Sequence, residues 1–288
     1  MSDAPNQNHL PAGGALRRAV EVVGEQTEQQ LATGRGIIEF VGGLTILLSD
    51  TLRWIWRSLV ARQTRFGADH MVTQMVRVGV RSIPIVALVQ VFIGIILALQ
   101  MAPTMAKYGQ TEQIATIVAI AMARELAPLL SGIVLSGFAG ASIAAELGTM
   151  VEGEEIKALR ACALNPIRFL VMPRFLATVI MLSMLTVIAC AVGIFGGYLT
   201  GTLILDIGSD VYINTTRLAI TYKDYLSGLA KAPLFGLLIS MIACYEGLNV
   251  TGGAEGVGRA TTNTVVKCIV ALISADVLAT ALMYAFGI

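Results

Sequence analysis

Charge is scarce in this sequence. Aspartate, glutamate, lysine and arginine make up 14% of the 288 residues and hydrophobic residues 56%, against roughly 25% charged in an average soluble domain. Water is therefore not the main solvent. Histidine is scarcer still: only His9 and His70 are present, which leaves too few soft ligands for a zinc site, and no metal is expected. The four cysteines, Cys162, Cys190, Cys244 and Cys268, have no C-x-x-C spacing and are expected to be reduced packing residues. A net charge of +1 gives no field for nucleic acid. The first thirty-five residues hold no apolar core of signal-peptide length, so no cleavage is expected.

What the sequence has instead is long oily runs. Five are long enough to cross about 30 Å of hydrocarbon as helices: about Ile83 to Ala102, Leu126 to Gly148, Phe175 to Thr200, Leu229 to Leu248, and Val265 to Phe286. The fold class is therefore an all-α membrane protein. A sixth apolar stretch, Ile37 to Val60, is interrupted by Gly42, Gly43, Asp50 and Arg53 and runs into TLRWIWRSLVARQTR. Trp54 and Trp56 among arginines suit a helix lying in the interface better than one crossing it. The chain divides into a polar tail (1–35), an interfacial or elbow region (36–82) and a five-span domain (83–288).

Fifteen of the twenty lysines and arginines fall on the side of the N-terminus. Basic residues stay in the cytoplasm, so the expected topology is N-terminus inside and C-terminus outside.

The second span is lined with small residues at three- and four-residue spacing, among them Gly132, Ser136, Gly140, Ala144 and Gly148. They allow close helix packing, either within one bundle or between two copies. After it comes VEGEEIKALRACALNP, a short charged helix at about 152–165 that stops at Asn165-Pro166. It is either a lever for a cytoplasmic partner or an ordinary connector. The glycine-rich TGGAEGVGRATT before the last span mimics a phosphate loop, but Arg259 and Ala260 stand where lysine and a hydroxyl residue are required. Nucleotide, if used, must bind another chain.

Ionisable residues within the bilayer are costly and must find partners. Glu125 and Lys231 fall at the outer ends of their spans and Asp276 near the middle of the fifth. Opposite charges favour one another's ionised forms, so these three are expected to form one cluster in the outward half, in a functional or a purely structural role. Glu146 and Glu246 lie near cytoplasmic ends, where water is expected to solvate them, and are given no function.

In order along the chain, FIGIILALQ from Phe92, ARELAPLL from Ala123, AAELGTM from Ala144, EEIKALRACALNPIRFLVMPRFLA from Glu154, CYEGLNVTGGAEGVGRATTNTVV from Cys244 and DVLATALM from Asp276 resemble the MlaE/YrbE permeases of bacterial lipid-transport ABC systems, which work with MCE proteins. The resemblance covers about Gln90 to the C-terminus. It implies a non-catalytic permease subunit without cofactors: a homodimer of five-span chains, each with an N-terminal interfacial helix, a cytoplasmic ABC ATPase dimer, a periplasmic MCE-domain protein, and a lipid substrate held in an outward-opening pocket between protomers. By the same resemblance, Leu97, Thr104, Met105 and Tyr108 line that pocket, and Arg124 and Glu125 begin span two beside it. Glu154, Glu155, Ile156, Lys157, Leu159 and Arg160 belong to the coupling helix that seats in the ATPase. Two positions depart from the family pattern: Phe138 stands where arginine is frequent, and Lys157 where an acidic residue is usual.

Mostly aliphatic, aromatic and methionine side chains with charge at the rim fit a ligand that is largely apolar. The main rival is a secondary transporter in which Glu125, Lys231 and Asp276 couple ions or protons; no inverted repeat or pair of broken helices favours it. An intramembrane enzyme lacks a nucleophile poised beside a base in any span.

Overall fold

The computed structural model describes residues 36, 38–58 and 68–286. The tail 1–35, with His9, lies outside them, as do residues 59–67, which hold the end of the amphipathic run. Residues up to Ile46 and those from Leu47 onward form two compact units. In the first, residues 38–46 are helical, and the Thr45 hydroxyl donates to the Val41 carbonyl at 2.8 Å. In the second, 47–58 are helical, and the Trp54 ring lies under the guanidinium groups of Arg57 and Arg168, at 5.6 and 5.8 Å from the ring centre.

Five helices of the second unit are long and apolar enough to cross a membrane: span one (His70–Lys107), span two (Gln113–Glu152), span three (Ile167–Leu203), span four (Tyr222–Leu248) and span five (Gly253–Ala285). Every described element is helical. Even the shortest span, 27 residues, is about 40 Å long, more than the hydrocarbon layer demands. Two short helices lie at opposite ends of the bundle: Glu155–Ala161 between spans two and three, and Ser209–Ala219 between spans three and four.

The spans reach further than the oily runs. Span two starts at Gln113 and span four at Tyr222, so Arg124, Glu125 and Lys231 lie well inside helices rather than at their outer ends. The glycine-rich stretch before the last oily run is also mostly helix, starting at Gly253 after Gly252, whose φ of 96° needs glycine.

Span four is the most enclosed, packing against spans two, three and five, whereas spans one and five bury little of themselves. Packing is by backbone approach. A Cβ on Gly94 would collide with the Gly193 carbonyl, and one on Gly228 with the Ala123 carbonyl, so spans one and three, and spans four and two, meet nearly main chain to main chain. The small face of span two serves spans four and five of the same chain: Gly132 faces Phe235 and Leu272, and Gly140 faces Ile239 and Thr264. Gly137 has open space before it.

Span two widens into π-helical turns at Met122–Leu126 and Ser136–Gly140, and span three starts with one at Ile167–Val171. The first and last come just before Pro128 and Pro173. A proline has no N–H and its ring crowds the preceding turn. The wider turn makes room: the Ala127 N–H reaches back to the Met122 carbonyl and that of Met172 to Ile167.

Candidate functional site

The widened turn at Met122–Leu126 carries Arg124 and Glu125, and span four supplies both of their partners. Arg124 Nε lies 2.5 Å from Asp224 Oδ1. Seven residues along, Lys231 Nζ lies 2.5 Å from Glu125 Oε2, 2.9 Å from Asp276 Oδ1 on span five, and donates to Thr280 Oγ1 at 2.8 Å. The Thr280 hydroxyl donates in turn to Glu125 Oε1 at 3.1 Å. Asp276 Oδ1 accepts no hydrogen bond, so its contact with Lys231 is one of charge alone. The Lys231 side chain is 1% exposed, Asp276 13% and Glu125 37%. Fully ionised, these five groups carry two positive and three negative charges. Gly228 makes the arrangement possible, because only a residue without a Cβ lets span four touch the backbone of the turn.

Asp224 does a second task. Its Oδ2 accepts the Thr221 N–H at 3.0 Å, completing a capping box at the start of span four. Asp224→Ala removes this bond and the Arg124 pair together. It is expected to lower stability by about 2–3 kcal/mol, the range for charge-assisted hydrogen bonds, read as a drop in the unfolding midpoint in mild detergent.

Gln90, fully buried on span one, turns its amide nitrogen toward the Ala127 carbonyl at 3.4 Å and toward Leu126 and Ser131 at 3.5 Å. It thereby occupies backbone acceptors next to Pro128. Nothing in the local pattern marked Gln90, Asp224 or Thr280 as neighbours of the cluster. The T-x-x-D signature at Thr221 was the one visible sign.

Of the residues assigned to a lipid pocket by resemblance, Leu97 and Met105 are half-buried against a core of Ala98, Ile114, Val118 and Tyr212. Thr104 is exposed on the same span and Tyr108 is exposed just past its end. Arg124 and Glu125 are half-buried eleven residues or more into span two rather than at its start.

At the other end, Glu146 Oε2 lies 2.8 Å from Arg77 Nη1 and 3.1 Å from the buried Arg174 Nη2, and Lys267 Nζ lies 2.6 Å from Glu246 Oε1. Both glutamates, expected to be solvated, thus link helices across the bundle. The 155–161 helix follows directly. Ile156 is buried and Leu159 half-buried, while Glu154, Glu155, Lys157 and Arg160 are exposed. Lys157 Nζ donates to Glu154 Oε1 at 2.7 Å and holds that carboxyl below its ordinary range. Phe138 is 43% exposed and lines a cavity of about 180 Å³ with Arg77, Arg81 and Glu146.

The model of the family described as Permease MlaE matches residues 71–282. A probable ABC transporter permease protein of Rickettsia typhi is 39% identical over 211 residues, 73% of this chain and 82% of that one. The intermembrane phospholipid transport system permease protein MlaE of Haemophilus influenzae is 30% identical over 260 residues, 87% of this chain and all of that one. The chloroplastic protein TRIGALACTOSYLDIACYLGLYCEROL 1 of Arabidopsis thaliana is 32% identical over 235 residues, 78% and 67% respectively. A family match that takes in spans two, three and four whole and nearly all of spans one and five, together with the charged cluster and the 155–161 helix, leaves one assignment: this chain belongs to the MlaE permease family.

Proposed function

We propose that this chain is the membrane-spanning permease subunit of an ABC transporter that moves phospholipids or related lipids between the bacterial inner membrane and a periplasmic MCE-domain protein. The observation that carries the reading is the family match over residues 71–282, joined to the phospholipid transport named for the Haemophilus relative. ATP hydrolysis belongs to a separate cytoplasmic ATPase dimer, and the permease itself is not an enzyme.

In this reading two copies pair. Apolar stripes left bare on span one (Ile85, Leu88, Phe92, Ile96, Leu99) and span five (Val266, Val270, Ile273, Val277) face the second copy or lipid. Acyl chains lie against Leu97, Met105 and the exposed Thr104 and Tyr108. Arg124, paired with Asp224 yet 41% exposed, exchanges that carboxylate for a lipid phosphate, since guanidinium binds both with the same fork. Glu125, Lys231 and Asp276 hold spans two, four and five in register around it. The 155–161 helix offers its charged face to the ATPase while Ile156 anchors it. A push there enters span two directly and meets the widened turns on its way to Arg124. The N-terminus and this helix are cytoplasmic and the C-terminus periplasmic, as the lysine and arginine bias requires. Residues 36–82 include the interfacial helix.

The test is co-expression with the cytoplasmic ATPase and MCE-domain partners. The three are expected to purify together and to hydrolyse ATP faster when phosphatidylglycerol is added. Lys157→Glu is expected to leave the permease's unfolding midpoint unchanged, its side chain being 76% exposed, and to reduce lipid-stimulated hydrolysis several-fold. Lipid flux through the purified chain alone, driven by a proton gradient, would overturn the reading.

A further inference from the structure

The 209–219 helix and span three line an open cavity of about 510 Å³ that belongs neither to the charged cluster nor to the outward pocket proposed above. The volume is within the usual range for small-molecule sites. Its walls are Ile194, Phe195 and Tyr198 from span three and Ile213 from the short helix. Phe195 and Tyr198 stack at 6.3 Å, and Phe195 and Ile213 stay more than half exposed at the mouth. The wall is apolar and open along a membrane-spanning helix, so its natural occupant is a hydrocarbon chain.

Two polar groups line it and a third belongs to its floor. Arg217 lines the rim, is exposed, and has no ion pair among the described residues. Thr216 lines the cavity, and its hydroxyl is buried without a hydrogen-bond partner. The third is Tyr212, 1% exposed, its hydroxyl likewise unpartnered. Burial pushes its phenol up to about 12, so it stays a neutral donor. A buried hydroxyl without a partner is costly, and that of Thr216, next in the chain to an exposed guanidinium on the same cavity, describes a place prepared for an acceptor-rich anion. A phospholipid has that pairing of groups: ester and phosphate oxygens on an oily chain.

We propose that this cavity seats one acyl chain of an anionic phospholipid from the surrounding bilayer, with its phosphate on Arg217 and an ester oxygen on the Thr216 hydroxyl. The site lies on the outer wall of span three and works whether or not the chain transports lipid. Its only requirement from the reading above is that the spans lie in a bilayer. Tyr212 is the floor of the cavity and, on its other side, part of the core that carries Leu97 and Met105. A lipid held here would therefore bear on the helix face where the transport pocket is proposed.

The full-length chain, reconstituted in nanodiscs of phosphatidylcholine doped with a phosphatidylglycerol that carries a diazirine on one acyl chain, is irradiated, and the labelled peptides are mapped. Label is expected to concentrate in residues 191–198 and 211–217. Ile213→Trp, which fills the mouth, should abolish it, whereas Leu218→Trp, at an 86% exposed neighbour outside the cavity, should not. Arg217→Gln should cut labelling by about fivefold, the equivalent of one basic residue near an anionic surface, and Arg217→Lys should retain it. The arginine pair decides the matter should Ile213→Trp fail to fold. The inference is overturned if label spreads evenly over the lipid-facing sides of spans one and five as an ordinary annulus, if diazirine phosphatidylcholine labels the same peptides as strongly, or if inorganic phosphate alone displaces the label. Failure of the ATPase and MCE-domain partners to co-purify with the chain would bear on the proposed function and leave this site standing.

Discussion

Lys231→Met is expected to destabilise the folded chain by about 3 kcal/mol, near the low end of what breaking a buried ion pair costs because Glu125 keeps 37% exposure. Among the described residues the lysine is the only cation paired with both Glu125 and Asp276, so its loss leaves two carboxylates facing each other around Thr280. Unfolding midpoints in detergent, followed by size exclusion, give the readout. Adding Glu125→Gln and Asp276→Asn to Lys231→Met should recover most of the loss, because an uncharged trio has nothing left to compensate. A change below about 1 kcal/mol in the single variant would contradict burial of the pair at all. The exchange Lys231→Glu with Glu125→Lys separates two roles. Recovery of stability without lipid-stimulated ATP hydrolysis means that the sign of charge at each position matters for function, whereas recovery of both means that the cluster is a clasp.

The second large effect is expected at Gly228. A valine there meets the Ala123 carbonyl oxygen rather than a side chain that could swing away. Overpacking against backbone costs at least the upper end of the usual range, about 3 kcal/mol or more. The damage is also specific, because the same displacement pulls span four from the turn carrying Arg124 and Glu125 and so opens both ion pairs at once. Poor expression and a lowered midpoint are the expected measurements. Gly137→Ala is the control: with nothing within 4 Å of the added methyl, the single chain should change by less than about 1 kcal/mol and in the stabilising direction, since alanine is the better helix former.

The spans could be read because hydrocarbon imposes a length and a composition that few other structures share. Their ends could not. The second oily run stops short of Arg124 and Glu125, where charge lowers local hydropathy, and the fourth stops at Leu229, but the helices continue to Gln113 and Tyr222. Each charge is neutralised by a residue more than forty positions away, and no local pattern contains that information. The grouping of Lys231 with Glu125 and Asp276 was accessible for the opposite reason: a lone lysine in an oily stretch has to be paired, and few acids were available. Glu146 and Glu246 illustrate the failure of the same argument near the ends of helices, where water was taken as partner although Arg77, Arg174 and Lys267 are in reach. The glycine-rich stretch from Thr251 misled because its composition suggests a loop. Gly252 and Gly253 take the left-handed backbone there, and the residues from Gly253 onward form the first turns of span five.

The wide turns ahead of Pro128 and Pro173 have an angular meaning. Each fits one more residue into a circuit than an α-helix does, and one residue of α-helix is a rotation of about 100°. The spare residue at Met122–Leu126 therefore works like the offset tooth of a vernier: it fixes the azimuth of everything from Gln113 to Glu125 against the rest of span two. Taking up that slack would sweep both charged side chains around the helix axis.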